Sequence, residues 1–194
     1  MPTPAQPRHS PHSPHSHLLD APSAWVARWA AMAPAGCAVL DVACGGGRHA
    51  RYFAARGHAV EAVDRDSAAL AALVALVGEA DVKHITTTCA DVESGPWPYG
   101  DRTFGVVVVT HYLHRPLFPL LLEALAPGGV LIYETFAVGN ERYGRPSNPE
   151  FLLRPGELLA VVQGRLRVLA YEDIYVESPK PAMVQRLCAV RPDG

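Results

Sequence analysis

Apolar residues along this chain recur in two alternating patterns, one with helical spacing and one of short buried runs. From Asp20 to Ala33, Trp25, Val26 and Trp29 fall on one face of a 3.6-residue period, which predicts an amphipathic helix. Cys37 to Val42 is a short apolar run and reads as a buried strand. Arg48 to Arg56 follows as a helix stopped by Gly57, and Ala59 to Val63 as a second strand. Ser67 is placed to cap an Ala/Leu/Val helix that Gly78 ends. Val82 to Thr88 is a third strand. Val106 to Val109 is apolar at every position, as expected of a central parallel strand covered on both faces. Pro116 opens the next helix where its missing N–H costs nothing, and Pro127-Gly128-Gly129 is expected to close it. A fifth strand, Val130 to Thr135, and a short helix, Pro155 to Gln163, complete the alternation. Leu166 to Val176 and Met183 to Val190 are strand-like with no helix between them, which predicts an antiparallel hairpin at the sheet edge.

Repeated β-α units imply an α/β fold with a mostly parallel sheet, helices on both faces and that antiparallel C-terminal hairpin. Ligands of such sheets bind beyond the carboxyl ends of the strands, at the point where strand order reverses. The ends of the first four strands are therefore the expected walls of the site.

Residues 1–17 are mostly Pro, His and Ser without apolar periodicity, a composition that cannot offset its ordering entropy, so a disordered tail is expected ahead of one folded domain at 18–194. His9, His12, His15 and His17 stand close together in it, but no acidic or thiol ligand fixes a geometry, and no metal site is predicted. Apolar residues make up 49% of the chain, enough for a full core. A net charge of −2 and a pI near 6.5 argue against a nucleic-acid or anionic-membrane partner. Lys83 and Lys180 are the only lysines among 17 basic residues, a bias read as genomic composition. Cys37, Cys44, Cys89 and Cys188 form no Cys-x-x-Cys pair, so neither a zinc knuckle nor a disulfide framework is expected, and free thiols fit a reducing cytosol. No apolar run approaches the ~20 residues that span a bilayer, and the N-terminus lacks the apolar centre of a signal peptide. A cytoplasmic protein is the expectation; nothing in the sequence fixes an oligomeric state.

The first strand runs into Leu40-Asp41-Val42-Ala43-Cys44-Gly45-Gly46-Gly47-Arg48-His49. Three glycines between a buried strand and a helix let backbone approach a ligand closely, and the helix N-terminus adds unpaired N–H groups that suit a carboxylate or phosphate. Two readings compete. Gly45-x-Gly47-x-x-Ala50 fits the relaxed dinucleotide fingerprint, with Asp64 placed as a ribose-binding acid. Asp41 favours the other: a negative charge just before the glycines repels a pyrophosphate and holds a cationic ligand such as an ammonium or sulfonium. Cys44 reads as a small residue that fits the loop, since a neighbouring acid raises a thiol's pKa.

Asp41 to Gly47 resembles the first motif of class I S-adenosylmethionine-dependent methyltransferases, with Ala43 where that family carries its first glycine. Val60-Glu61-Ala62-Val63-Asp64 resembles the second, whose closing acid binds both ribose hydroxyls. Ala90-Asp91-Val92 resembles the motif whose acid meets the adenine amino group, and Leu125 to Ile132 the turn before the fifth strand. The resemblance implies a Rossmann-like seven-stranded sheet and S-adenosyl-L-methionine as cofactor. Asp41, Ala43, Gly45, Gly47, Asp64, Arg65, Asp91, Val92 and Thr110 are the cofactor-binding residues it implies. Thr110 to Pro116 would then line the transferring methyl, with His111 and Tyr112 as catalytic candidates able to orient or deprotonate an acceptor. The Asn/Asp-Pro-Pro-Tyr signature of amino-group methylation in nucleic acids and glutamine is absent. Gly105 stands where relatives usually carry Asp, for no reason visible in the sequence.

Asn140 to Leu159 follows the fifth strand and is expected to fold over the pocket. Its closing Phe151-x-x-x-x-Gly156-Glu157-Leu158, the Gly47-Arg48 pair and Glu172-Asp173 resemble the tellurite-resistance methyltransferases. That likeness implies a small-molecule acceptor, a thiol or chalcogen oxyanion, with Arg115, Arg145 and Arg154 as the cations that bind it. Three readings follow in order: a small-molecule methyltransferase, a methyltransferase acting on RNA or protein, and an NAD(P)-dependent oxidoreductase.

Overall fold

A computed structural model describes residues 21–78 and 83–193, so the N-terminal tail and its histidines lie outside the described residues. Seven strands form one sheet: β1 (Ala38–Val42), β2 (Ala59–Asp64), β3 (Ile85–Cys89), β4 (Phe104–Thr110), β5 (Leu125–Phe136), β6 (Arg167–Val176) and β7 (Ala182–Val190). Their order is β3-β2-β1-β4-β5-β7-β6. The first five strands pair in parallel, while β7 runs antiparallel to both β5 and β6. The C-terminal hairpin thus lies at the sheet edge, as its helix-free sequence predicts.

Strand alternation sorts the core into two layers. Val39, Val106, Val108, Val130 and Ile132 face helices α1 (Ala24–Trp29), α2 (Arg48–Ala54) and α3 (Ser67–Leu76). Leu40, Val107, Val109, Leu131 and Tyr133 face α4 (Phe118–Glu123) and α5 (Glu157–Val162). β4 is apolar throughout because both its faces are covered.

Several element ends differ from the sequence reading, each for a local reason. The first helix is shorter than Asp20–Ala33: the Ser23 hydroxyl accepts the Val26 N–H at 3.0 Å, and a 3-10 turn follows at Ala30–Met32. The third helix is capped by Asp66, one residue before Ser67, because its carboxylate accepts the N–H groups of Ala68 and Ala69 at 2.9 and 3.1 Å. Pro127-Gly128-Gly129 does not close the helix at Pro116. That helix ends at Glu123 with Ala124 as its cap. The Pro-Gly-Gly loops out within β5 instead, where Leu125 pairs with Phe104 and pairing resumes at Val130 with Val106. Gly105 also acquires a reason here: a Cβ on it would lie 2.4 Å from the Cys37 Cβ, so no side chain fits.

Candidate functional site

Strand order reverses between β1 and β4, and the loops after both strands shape the site. Ala43, Gly45 and Gly47 have φ of 53°, 52° and 68°, all left-handed. Their alternate spacing is therefore a conformational requirement, and Ala43 meets it at a cost a glycine would avoid. Gly47 is doubly constrained, since a Cβ there would lie 2.4 Å from Leu73.

Carboxylates lock this loop. The Gly45 N–H donates to Asp64 Oδ2 at 2.7 Å, and the Asp66 N–H to Asp64 Oδ1 at 2.9 Å. Ala50 N–H, in the first turn of α2, donates to Asp41 Oδ2 at 3.0 Å. Asp41 is 1% exposed and lines none of the clefts described below. It caps the helix, so its influence on a ligand is through its field. Burial pushes its carboxyl up to about 7, against the lowering effects of the Ala50 N–H and the Arg48 charge. The same burial, with Asp41 and Asp64 nearby, raises the Cys44 thiol far above the usual range, so it is no nucleophile.

Three clefts converge on His111. The first, about 400 Å³, lies at the ends of β2 and β3 and is lined by Ala43, Asp64, Arg65, Asp91, Val92 and Tyr112 among others. Asp91 is exposed there, its carboxylate held below the ordinary range by the Ser94 hydroxyl and the Glu93 N–H. The second, about 350 Å³, lies along the glycine loop and includes Gly45, Arg48, His49, Arg51 and Thr110. The third, about 520 Å³, lies between the end of β5 and the β6–β7 turn and includes Glu134, Arg145, Lys180 and Arg186. His111 lines all three, and its ring stacks on Phe136 with centroids 5.1 Å apart. His111 also has φ of 53°, a left-handed turn that carries the chain out of β4 toward the site. Partial burial and the Arg48 charge lower its pKa, so the ring is neutral at pH 7. Burial and Glu93 raise the Tyr112 phenol, which keeps its proton.

The three arginines assigned to the acceptor part company. Arg145 lines the third cleft. Arg115 does not reach a cleft: it grips Glu157 through Nε and Nη2 at 2.6 and 3.0 Å and donates to the Glu150 and Leu152 carbonyls. It clamps the segment after β5 to the body of the fold. Arg154 has an exposed side chain outside the clefts, and its backbone does the local work, donating to Glu157 and accepting from Gln185.

Residues missed in the sequence include His49 and Lys180. His49 is buried, accepts the Ser23 N–H on Nε2 and meets Thr110 Oγ1 through Nδ1 at 3.3 Å. Burial first, then the Arg48 and His111 charges, lower it to about 3, so Nδ1 carries the proton and donates. It joins the start of α1 to the end of β4, and only its place after Gly47-Arg48 hinted at it. Lys180 sits in Ser178-Pro179-Lys180-Pro181, a turn whose one charge was the available signal.

The charges fit one ligand class. Asp64, Asp91 and Glu93 outnumber Arg65 in the first cleft, which suits hydroxyl and amino donors on a cationic ligand; Arg48 and Arg51 in the second suit a carboxylate. A pyrophosphate would find the Gly45 and Ala50 N–H groups already taken by carboxylates. Among the described residues no group of three or more His, Cys, Asp or Glu could hold a metal ion, and no helix is long and apolar enough to cross a membrane.

Residues 39–129 match a family described as a methyltransferase domain. That match takes in just under half of the chain, and the fold is shared with solved S-adenosylmethionine-dependent methyltransferases. In fold it resembles TehB. TehB from Haemophilus influenzae superposes with a TM-score of 0.69 at 19% identity, over 86% of this chain and 61% of TehB, so the chain spans about three fifths of that protein. An S-adenosylmethionine-dependent methyltransferase from Mesorhizobium loti gives 0.67 at 19% identity, over 87% of this chain and 99% of that one. A TehB-like enzyme from Corynebacterium glutamicum gives 0.62 at 18%, over 86% of both chains. No curated protein matches the chain.

Proposed function

We propose that the protein transfers a methyl group from S-adenosylmethionine to a small-molecule acceptor, with thiols and chalcogen oxyanions the acceptor classes implied by its sequence resemblance to the tellurite-resistance methyltransferases. The observation that carries this is the convergence of an acid-lined cleft, a glycine-loop cleft and a third, cation-lined cleft on His111. Asp64 accepts the ribose hydroxyls, Asp91 and Val92 border the base, and Ala43, Gly45 and Thr110 border the amino-acid end near Arg48. Gly47 closes the loop onto Leu73, Arg65 borders the first cleft, and Asp41 holds the first turn of α2 from beneath the loop. When bound, the cofactor supplies a methyl group whose C–S bond breaks as a bond to the acceptor forms, leaving a neutral thioether and releasing the acceptor's proton.

The protein's part is alignment and exclusion of water. His111, neutral and shared by all three clefts, is placed to orient the acceptor and take its proton. Tyr112 keeps its proton, and its hydroxyl is buried on the Glu93 side of the first cleft. The near-neutral charge does not favour an RNA or protein acceptor.

Asp64→Asn tests the cofactor assignment. Asparagine keeps one acceptor for the Gly45 N–H but loses the charged oxygen that serves hydroxyls. S-adenosylhomocysteine affinity, measured by calorimetry, falls by about 1.5–3 kcal/mol, the range for a hydrogen bond to a charged group. Equal affinity in both proteins returns Asp64 to a purely loop-locking role.

A further inference from the structure

The third cleft differs from the other two in charge and size. Its lining carboxylate, Glu134, is 4% exposed and bound to Arg186 Nε. The same guanidinium holds Glu172 through Nη1 at 3.1 Å, and Arg28 lies 3.7 Å from Glu172, so two arginines and two carboxylates balance and leave no net charge for a ligand. Arg145 and Lys180 are different: among the described residues neither makes an ion pair. They reach the cleft from two separate elements, the segment after β5 and the β6–β7 turn. Between them the lining is apolar, with Phe136, Val176 and Val184 among its residues. Two free cations on an apolar wall favour a ligand with an anionic end and an apolar body.

Size decides which anion. At about 520 Å³ the cleft lies in the range that holds organic ligands of many atoms, and a bare oxyanion would leave most of it to water. His111 and Phe136 border both this cleft and the acid-lined one, while Arg145 and Pro146, adjacent in sequence, face one cleft each. The lid segment therefore divides the cofactor side from the acceptor side and leaves the His111–Phe136 stack between them. We infer that the cleft between β5 and the β6–β7 turn is the acceptor site and that it takes a small organic anion, whose charged end is held by Arg145 and Lys180 and whose apolar body carries the methyl-accepting atom toward His111. This rests on the methyltransferase reading and narrows its acceptor from inorganic oxyanions to organic acids.

The test uses the full chain saturated with S-adenosylhomocysteine, with 2-naphthoate, 2-naphthamide and tellurite as calorimetric probes. S-adenosylhomocysteine itself is titrated first; failure to bind overturns the cofactor reading, and the acceptor inference with it. Given that binding, 2-naphthoate binds at least tenfold more tightly than 2-naphthamide. Arg145→Ala combined with Lys180→Ala weakens 2-naphthoate at least tenfold and leaves 2-naphthamide and S-adenosylhomocysteine unchanged. No 2-naphthoate binding, equal affinity for acid and amide, or an acid affinity indifferent to the double substitution overturns the inference. Tellurite binding more tightly than 2-naphthoate, and losing affinity in the double variant, overturns it in favour of a bare-oxyanion site.

Discussion

Asp41 is the residue whose role changed most between sequence and structure. Its position before the glycines predicts a direct hold on a cationic ligand, but its carboxylate is buried beneath the loop and bonded to Ala50. The discrimination against a pyrophosphate stands on a different footing: the N–H groups such a ligand needs are occupied. Burial also couples Asp41 to pH. Its carboxyl ionises near 3.8 when exposed and near 7 in the fold, so folding takes up a proton between those values. Stability contributed by the protonated group is present below about 4 and lost as pH rises to about 7. Asp41→Asn keeps an acceptor for Ala50 and removes the titration. Chemical denaturation of both proteins without ligand shows the variant gaining on the wild type from pH 4 to pH 7, by on the order of a few kcal/mol, then running parallel. Parallel curves over that whole span contradict the account. Ala43 shows how little of such detail a sequence displays: its smallness was visible, the left-handed backbone that makes the family prefer glycine was not.

Helices and strands were the most readable level, because each β-α unit carries its own period and the burial of both sheet faces is written in runs such as Val106 to Val109. What misled was punctuation. Pro-Gly-Gly stops helices and loops out of strands by the same chemistry, and only the pairing of Leu125 with Phe104 decides for the strand. Arginines were equally ambiguous, because salt bridging and ligand binding use the same guanidinium, and spacing cannot say which partner lies near. Arg115 illustrates the outcome, tying the Glu150 and Leu152 carbonyls and Glu157 together and so fixing the base of the lid that carries Arg145, Pro146 and Phe151. Lysine cannot reproduce that fork. Arg115→Lys costs about 1–2 kcal/mol of stability and speeds amide exchange across 141–152 severalfold in the unliganded protein. Exchange at the wild-type rate contradicts the clamp.

Across the sheet, the ends of β1 to β4 border the acid-lined and glycine-edged clefts, and the end of β5 with the β6–β7 turn borders the cation-lined one; on our proposal the two sides have separate tasks. The meeting of Asp64 and Asp91 in one cleft is legible in the sequence because both acids follow strand ends. The acceptor half is not, since Lys180, Arg145 and Phe136 come from three elements that only the hairpin brings together. Both halves depend on the first being a sulfonium-cofactor site and not a dinucleotide site. The most direct measurement of that is thermal unfolding of the full chain with S-adenosylhomocysteine, NAD or NADP at equal concentration. S-adenosylhomocysteine at a hundredfold excess over its Kd stabilises the fold by about 2.7 kcal/mol, while NAD and NADP leave the melting temperature unchanged. A shift with NAD or NADP and none with S-adenosylhomocysteine contradicts the assignment.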